Sequence, residues 1–326
     1  YWACVSVGIA VVGMNAWWTP EEMEYALKDS EPKILFADSE RLERVLAISG
    51  AADKMKIVGV RAPDAPSPVI QWSDVLAHGG ALPDVSVDPD ADACIFYTSG
   101  TTGFPKGAQL THRGCVSNLL NMAFAGASTQ LATARATGEM PPEEAPVPVG
   151  LITPLFHVTA NNCAAYLITA AGGKIVLMYR WDAGEALKLV EIEKVTAMSG
   201  VPIMARELIN HPDFEKTDTS SLATLGGGGA QLPPDLVQKI DSTVATARPN
   251  TGYGMTETCG IITSVAADFF IDKPDSAGPA MPNFEAKCVN DLGETVAQGE
   301  VGELWVRGSS VIKGYINRPE ATAESI

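Results

Sequence analysis

Ten consecutive residues, Thr98-Ser-Gly-Thr-Thr-Gly-Phe-Pro-Lys-Gly107, hold three Gly, three Thr, one Ser and one Lys. Glycine lets the backbone turn tightly and bring N–H groups up to an anion, while hydroxyls and an ammonium add donors and charge. Thr98, Ser99, Gly100, Thr101, Thr102, Gly103 and Lys106 are therefore candidates for a triphosphate cradle. The spacing is not that of a Walker loop, because Gly-x4-Gly-Lys-[Ser/Thr] fits no register here. The plain structural alternative is a flexible Gly/Thr hairpin, which the hydroxyl residues followed by Lys106 disfavour.

Three further stretches carry chemistry. Tyr253 offers an aromatic face for stacking a flat ring, and Thr256 and Glu257 follow it at the spacing of a strand end turning into a loop. Taken alone, that run fits a core tyrosine equally well. Gly226 to Ala230 follows the apolar Leu222-Ala-Thr-Leu225, so a strand opens into backbone stripped of side chains, as the close approach of a flat ligand requires. A bend needed for packing alone is the other reading, and a dinucleotide fingerprint fails for want of the matching helix and acidic partner. His157 follows a candidate strand and a short turn, where open α/β sheets hold their ligands. Flanked by Phe156 and Val158, it reads by itself as a packed residue.

The elements that must position these groups are legible as an alternation. Thr19-Pro-Glu-Glu22 has the cap, first-turn Pro and third-position Glu of a helix start, with Met23, Ala26 and Leu27 inward and an end near Ser30. Lys33–Ala37 and Lys56–Val60 read as strands around a helix over 41–48, a spacing that gives a parallel sheet. Val149–Thr153, a helix over 160–171, Lys174–Tyr179 and a helix over 182–195 repeat the theme. Val5–Met14 reads as a buried strand or helix, and Gly138–Pro148 as an exposed Pro- and Glu-rich excursion. From Lys287 short strands with Gly-rich turns suggest a small β-rich layer.

Composition sets the outer limits. The chain has 326 residues, 46% of them hydrophobic, and its 23 Lys and Arg against 39 Asp and Glu give a formal charge of −16. That balance opposes the electrostatic footprint of a nucleic-acid binder, so DNA and RNA are excluded as partners and any phosphate site must be a focused one. No two of Cys4, Cys94, Cys115, Cys163, Cys259 and Cys288 form a CxxC, which reads as reduced cytosolic thiols. The run Val5–Met14 is too short for the ~20 residues that span a bilayer and lacks a cationic leader. The expectation is a cytoplasmic chain without a transmembrane segment. A homodimer is left open.

With these residues in view, TSGTTGFPKG resembles the phosphate-loop signature of the adenylate-forming superfamily of acyl-CoA synthetases, luciferases and peptide-synthetase adenylation domains. Pro154-Leu-Phe-His-Val158, Gly226-Gly-Gly-Gly-Ala230, Tyr253-Gly-Met-Thr-Glu-Thr258 and Gly302-Glu-Leu-Trp-Val-Arg-Gly308 follow in the superfamily's order, and Gly8–Pro20 resembles its early glycine-to-proline segment. The resemblance implies an α/β fold of two packed mixed and parallel sheets sandwiched by helices, with a small β-rich subdomain. The division it suggests is residues 1–281 as paired α/β lobes and 282–326 as that subdomain. It also implies that Tyr253 stacks on adenine, with Gly228, Gly229, Ala230 and Gly254 as neighbouring wall. Thr256 would contact the α-phosphate, Glu257 would hold Mg²⁺, and His157 would gate the carboxylate and thiol path in a supporting role.

The implied reaction is ATP-dependent formation of an acyl-AMP, then transfer to CoA, with Lys106, Thr98, Thr101, Thr102 and Glu257 as the pieces visible here. Peptide-synthetase relatives carry an Asp at the position of His157. No acid lies between Leu155 and Ile168, and burying an unpaired ammonium is expensive, so the carboxylic acid is expected to have an uncharged apolar tail. A fatty acid is the first expectation, an aryl or sterol-derived acid the alternative, and a non-catalytic nucleotide- or acyl-binding module the reading of another class. The resemblance further implies a ribose-gripping Asp, a hinge and a mobile C-terminal subdomain with its adenylation Lys beyond Ile326. A chain without them is expected to bind ATP weakly and turn over little.

Overall fold

Local signals in the sequence settle several of the elements. The helix Pro20–Ser30 begins on a complete capping box: the Glu22 N–H donates to Thr19 Oγ1 (3.3 Å) and the Thr19 N–H to Glu22 Oε2 (2.8 Å). Met23 and Ala26 face its core. The computed structural model describes residues 1–98, 104–138 and 147–326. It is a mixed α/β structure whose sheets are packed by helices, and it folds as two compact units, Tyr1–Thr111 with Lys313–Ile326, and His112–Ile312. The sequence division at 281/282 falls within the second unit.

The first unit holds β1 (Val11–Gly13), β2 (Ile34–Asp38), β3 (Lys56–Val60), β4 (Ile70–Gln71), β5 (Asp92–Thr98) and β6 (Lys106–Thr111). Strands β2, β3 and β4 form the expected parallel sheet. A mixed sheet runs β1-β5-β6 and closes with the short strand Gly314–Tyr315, β5 and β6 pairing antiparallel from Asp92 opposite Thr111 to Thr98 opposite Lys106. The Val5–Met14 expectation is corrected here. The run is not buried: it splits into a helical turn ending at Val5, a turn at Gly8 (φ +73°) and the half-buried β1, which among the described residues lies at the sheet edge and pairs with β5 alone.

The second unit is built on a six-stranded sheet of β7 (Val149–Ile152), β8 (Lys174–Leu177), β9 (Ala197–Ser199), β10 (Thr224–Gly227), β11 (Arg248–Met255) and β12 (Gly260–Ala266). Its order is β12-β11-β10-β9-β7-β8, parallel throughout except for β12, which turns back on β11. Buried Leu151, Met198, Leu208, Leu225, Leu236 and Ile240 form its core with Leu187 and Val190 of the helix Ala183–Glu193. Each such side chain contributes about 1.5–3 kcal/mol by leaving water. Strands β13 (Phe284–Val289) and β14 (Glu303–Gly308) make the expected β-rich layer as one antiparallel pair. A 26-residue helix, His112–Thr137, opens the unit.

The helix expected over 160–171 differs in kind. It begins as a π-helical turn, Thr159–Ala165, and only then becomes α-helical at Tyr166–Ala170. The widened turn carries an extra residue and turns Asn161 and Asn162 into the core, both buried. The Gly138–Pro148 excursion lies mostly outside the described residues.

Candidate functional site

In the first unit the glycine- and hydroxyl-rich run connects two antiparallel strands, so its ends are held in register: Thr98 faces Lys106, and Thr98 Oγ1 donates to the Lys106 carbonyl (3.4 Å). Ser99, Gly100, Thr101, Thr102 and Gly103 lie outside the described residues. The exit of the run is gripped from the helix Pro20–Ser30. Tyr25 stacks on Phe104 (ring centroids 4.7 Å apart) and its hydroxyl donates to the Pro105 carbonyl (2.9 Å). Behind it, Arg318 donates to the Tyr25 oxygen (2.8 Å) and lies 3.6 Å from the buried Asp29 carboxylate, which accepts from the Tyr97 hydroxyl (2.9 Å). Burial, then the Asp29 charge, holds the Tyr97 phenol well above its ordinary pKa. The Lys106 ammonium stands 4.4 Å over the Tyr315 ring, a cation–π contact that leaves the charge able to exchange toward an anion.

In the second unit the other sequence-predicted residues converge on the carboxyl edge of the parallel strands. Strand β7 leads into Pro154–His157, β10 into Gly228–Ala230, and β11 into the Thr256–Thr258 turn. The glycines of this edge are required by geometry. A Cβ on Gly227 (φ +151°) would lie 1.9 Å from the Gly200 carbonyl oxygen, and one on Gly254 would lie 2.0 Å from the Gly260 oxygen. Gly228 is more open, its nearest neighbours being the Gly252 carbonyl and the Thr159 methyl. Tyr253 is 43% exposed, so its ring presents a face, while Thr256 and Glu257 are half-buried. The Glu257 carbonyl accepts from the Ile312 N–H (2.9 Å), which ties the turn's backbone down.

His157 Nδ1 accepts from the Thr159 N–H (3.2 Å), so the neutral ring carries its proton on Nε2. Burial of part of the ring lowers its pKa and favours that neutral form. Leu155 and Val201, on loops at the same edge, and Ile203, in the first turn of the helix Pro202–Asn210, expose apolar side chains. Among the described residues no group of three or more His, Cys, Asp or Glu gathers as a metal cage. The Glu257 carboxylate suits Mg²⁺ as a single protein oxygen ligand completed by water and substrate phosphate, which is how that cation is commonly held.

Sequence reasoning missed Asn118 and Asn162, which hydrogen-bond Ile261 and Cys259 just after the Thr256–Thr258 turn, and Tyr25, which holds the exit of the Thr98–Gly107 run. The signal for the first two was asparagine at inward positions of otherwise apolar helical patterns; Tyr25 and Phe104 stand 79 residues apart and left none.

The chain has known relatives. A family model described as AMP-binding enzyme matches residues 1–316, and the chain belongs to that family. A feruloyl-CoA synthase from Amycolatopsis sp is 35% identical over 325 residues, 99% of this chain and 59% of the relative. The 4-coumarate–CoA ligase CCL1 of Humulus lupulus is 28% identical over 328 residues, 98% of this chain and 57% of the relative. The solved structure of o-succinylbenzoate CoA synthetase from Bacillus subtilis, in complex with its acyl-adenylate intermediate, matches with a TM-score of 0.75 at 25% identity and covers 99% of this chain and 59% of that one. The chain thus spans rather more than half the length of the relatives it matches. No helix among the described residues is long and apolar enough to cross a membrane.

Proposed function

We propose that this chain carries the ATP- and acid-binding part of an AMP-forming acid–CoA ligase, and that the acid is an aryl carboxylic acid. In that reaction a carboxylate oxygen attacks the α-phosphorus of ATP and the α–β phosphoanhydride bond breaks, giving acyl-AMP and pyrophosphate. The CoA thiolate then attacks the acyl carbon and AMP leaves. The chain's own residues supply binding and charge. Lys106, Thr98 and the hydroxyls of Ser99, Thr101 and Thr102 neutralise and orient the phosphates, Tyr253 stacks on adenine against Gly228–Ala230 and Gly254, and Thr256 donates to the α-phosphate. Glu257 would hold Mg²⁺, which spreads the phosphate charge when bound.

The observation that carries the reading is the carboxyl edge of the six-stranded sheet, where backbone without side chains lies beside an exposed tyrosine and a carboxylate turn. The nature of the acid follows from two points. Partial burial favours a neutral His157, and the segment from Leu155 to Ile168 carries no acid to pair with an ammonium, which disfavours α-amino acids. The relatives are named for feruloyl-CoA and 4-coumarate, both aryl acids, and this displaces the fatty acid as first choice. The test is a thermal-shift series with ATP and Mg²⁺ plus ferulate, 4-coumarate, octanoate or phenylalanine. Ferulate or 4-coumarate should raise the melting temperature beyond ATP alone. A shift with octanoate only would overturn the aryl assignment, and no shift with any nucleotide would overturn the function.

A further inference from the structure

Asparagine is costly to bury, yet Asn118, on the helix His112–Thr137, and Asn162, in the π-helical turn after His157, are both 0% exposed. Their amide groups are in use. Asn118 Oδ1 accepts from the Ile261 N–H (2.9 Å) and Asn118 Nδ2 donates to the Asn162 carbonyl (3.0 Å). Asn162 Nδ2 donates to the Cys259 carbonyl (3.1 Å), and Asn162 Oδ1 accepts from Asn161 Nδ2 (2.8 Å). The pair therefore grips the chain on both sides of Gly260. That corner is one the backbone does not adopt readily: Cys259 has φ +55° and Gly260 φ +146°, and a Cβ on Gly260 would lie 2.2 Å from Asn118 Oδ1. An apolar pair would fill the same volume but remove these hydrogen bonds to the Cys259 carbonyl and the Ile261 N–H.

Two features give this grip a functional direction. The corner directly follows the Thr256–Thr258 turn, and the π-helical turn is itself anchored by the Asn161 N–H on the His157 carbonyl (3.0 Å). We propose that Asn118 and Asn162 are positioning residues that fix Thr256 and Glu257 relative to His157 through the backbone. The proposal rests on the reading of Thr256 and Glu257 as phosphate- and Mg²⁺-facing groups. Neither asparagine is exposed, so neither meets a ligand itself.

The test compares the parent with Asn162→Leu and with the milder Asn118→Ser, whose shorter side chain releases Ile261 and Asn162 without burying a charge. Two quantities are read: hydrogen–deuterium exchange over 253–262, and ATP affinity by calorimetry with and without Mg²⁺. In the variants, exchange over 253–262 should accelerate by about tenfold, the loss expected of one buried hydrogen bond, while the helix Ala183–Glu193 keeps its protection. Metal-free ATP affinity should fall modestly, through Thr256, and the gain conferred by Mg²⁺ should shrink as well. Unchanged exchange over 253–262, an unchanged gain from Mg²⁺, or equal acceleration across the whole unit overturns the proposal. Asn118→Ser decides it if Asn162→Leu does not fold. A parent that binds no ATP refutes the function and with it the nucleotide role of the pair, whereas the exchange data still decide whether the corner is gripped.

Discussion

Lys106 and His157 show how one side chain's surroundings set what it can do. The Lys106 ammonium lies over a buried tyrosine ring, and no acid among the described residues forms an ion pair with it, so on the proposed reading an incoming phosphate would meet a cation not already neutralised by a described carboxylate. Charge-assisted hydrogen bonds contribute about 1.5–3 kcal/mol. Lys106→Ala should therefore weaken ATP binding by roughly tenfold to a hundredfold while leaving the melting temperature nearly unchanged, as paired calorimetry and thermal melts would show. His157 is poised in the opposite sense: partial burial lowers its pKa, so the folded state binds its proton less readily than the unfolded chain. Stability from this group is complete above the unfolded value near 6.5 and is lost as pH falls toward the folded pKa. Melting temperatures from pH 7.5 down to 5 should fall less steeply for His157→Asn than for the parent, and parallel curves would remove His157 from that role. Cys163, its pKa pushed up to about 12 by burial, should resist alkylation in the native state while the exposed Cys288 reacts.

The elements that the sequence announced are those whose determinants are local. The helix Pro20–Ser30 could be read because its capping box and its inward Met23 and Ala26 are all within eleven residues. Thr19→Ala should cost about 1 kcal/mol, visible as a shifted urea midpoint without change in slope. The glycine run after Leu225 was legible for a similar reason, since four glycines in series have few uses other than close approach. Gly227→Ala should be far more damaging than the cap change, because its Cβ would enter the Gly200 backbone at a φ that alanine rarely adopts. The π-helical turn was not legible. Its alanines and asparagines fit an ordinary helix residue by residue, and only the partners of Asn162, Cys259 97 positions away and Cys115 47 away, favour the extra residue that points it inward. Val5–Met14 failed in the opposite direction: its apolar content suggested burial, but a left-handed Gly8 and a three-residue edge strand leave it half-covered. In the candidate site, residue types were readable from motifs, whereas the partners of the asparagine and tyrosine supports, reached across long sequence separations, were not.

At the scale of the whole chain, the net charge of −16 acts against the polyanionic nucleotide proposed as its ligand. The two effects differ in range, and that difference can be measured. Far-field repulsion of a triphosphate is spread over the surface and is screened within a Debye length of about 10 Å at 0.1 M salt. On the proposed reading the local attraction would come from Lys106, hydroxyls, backbone N–H groups and bound Mg²⁺ at the phosphates, and salt would weaken only part of it. A basic nucleotide-binding surface loses affinity steeply as salt rises, because both of its terms are attractive. Here the terms oppose each other, so ATP affinity in excess Mg²⁺ should change by less than about threefold between 20 and 200 mM monovalent salt. AMP, with less charge to repel, should change less still. Calorimetric titrations of both nucleotides at the two salt concentrations decide the matter. A tenfold or greater loss for ATP would mean that long-range attraction dominates, and would point to a basic surface these residues do not form.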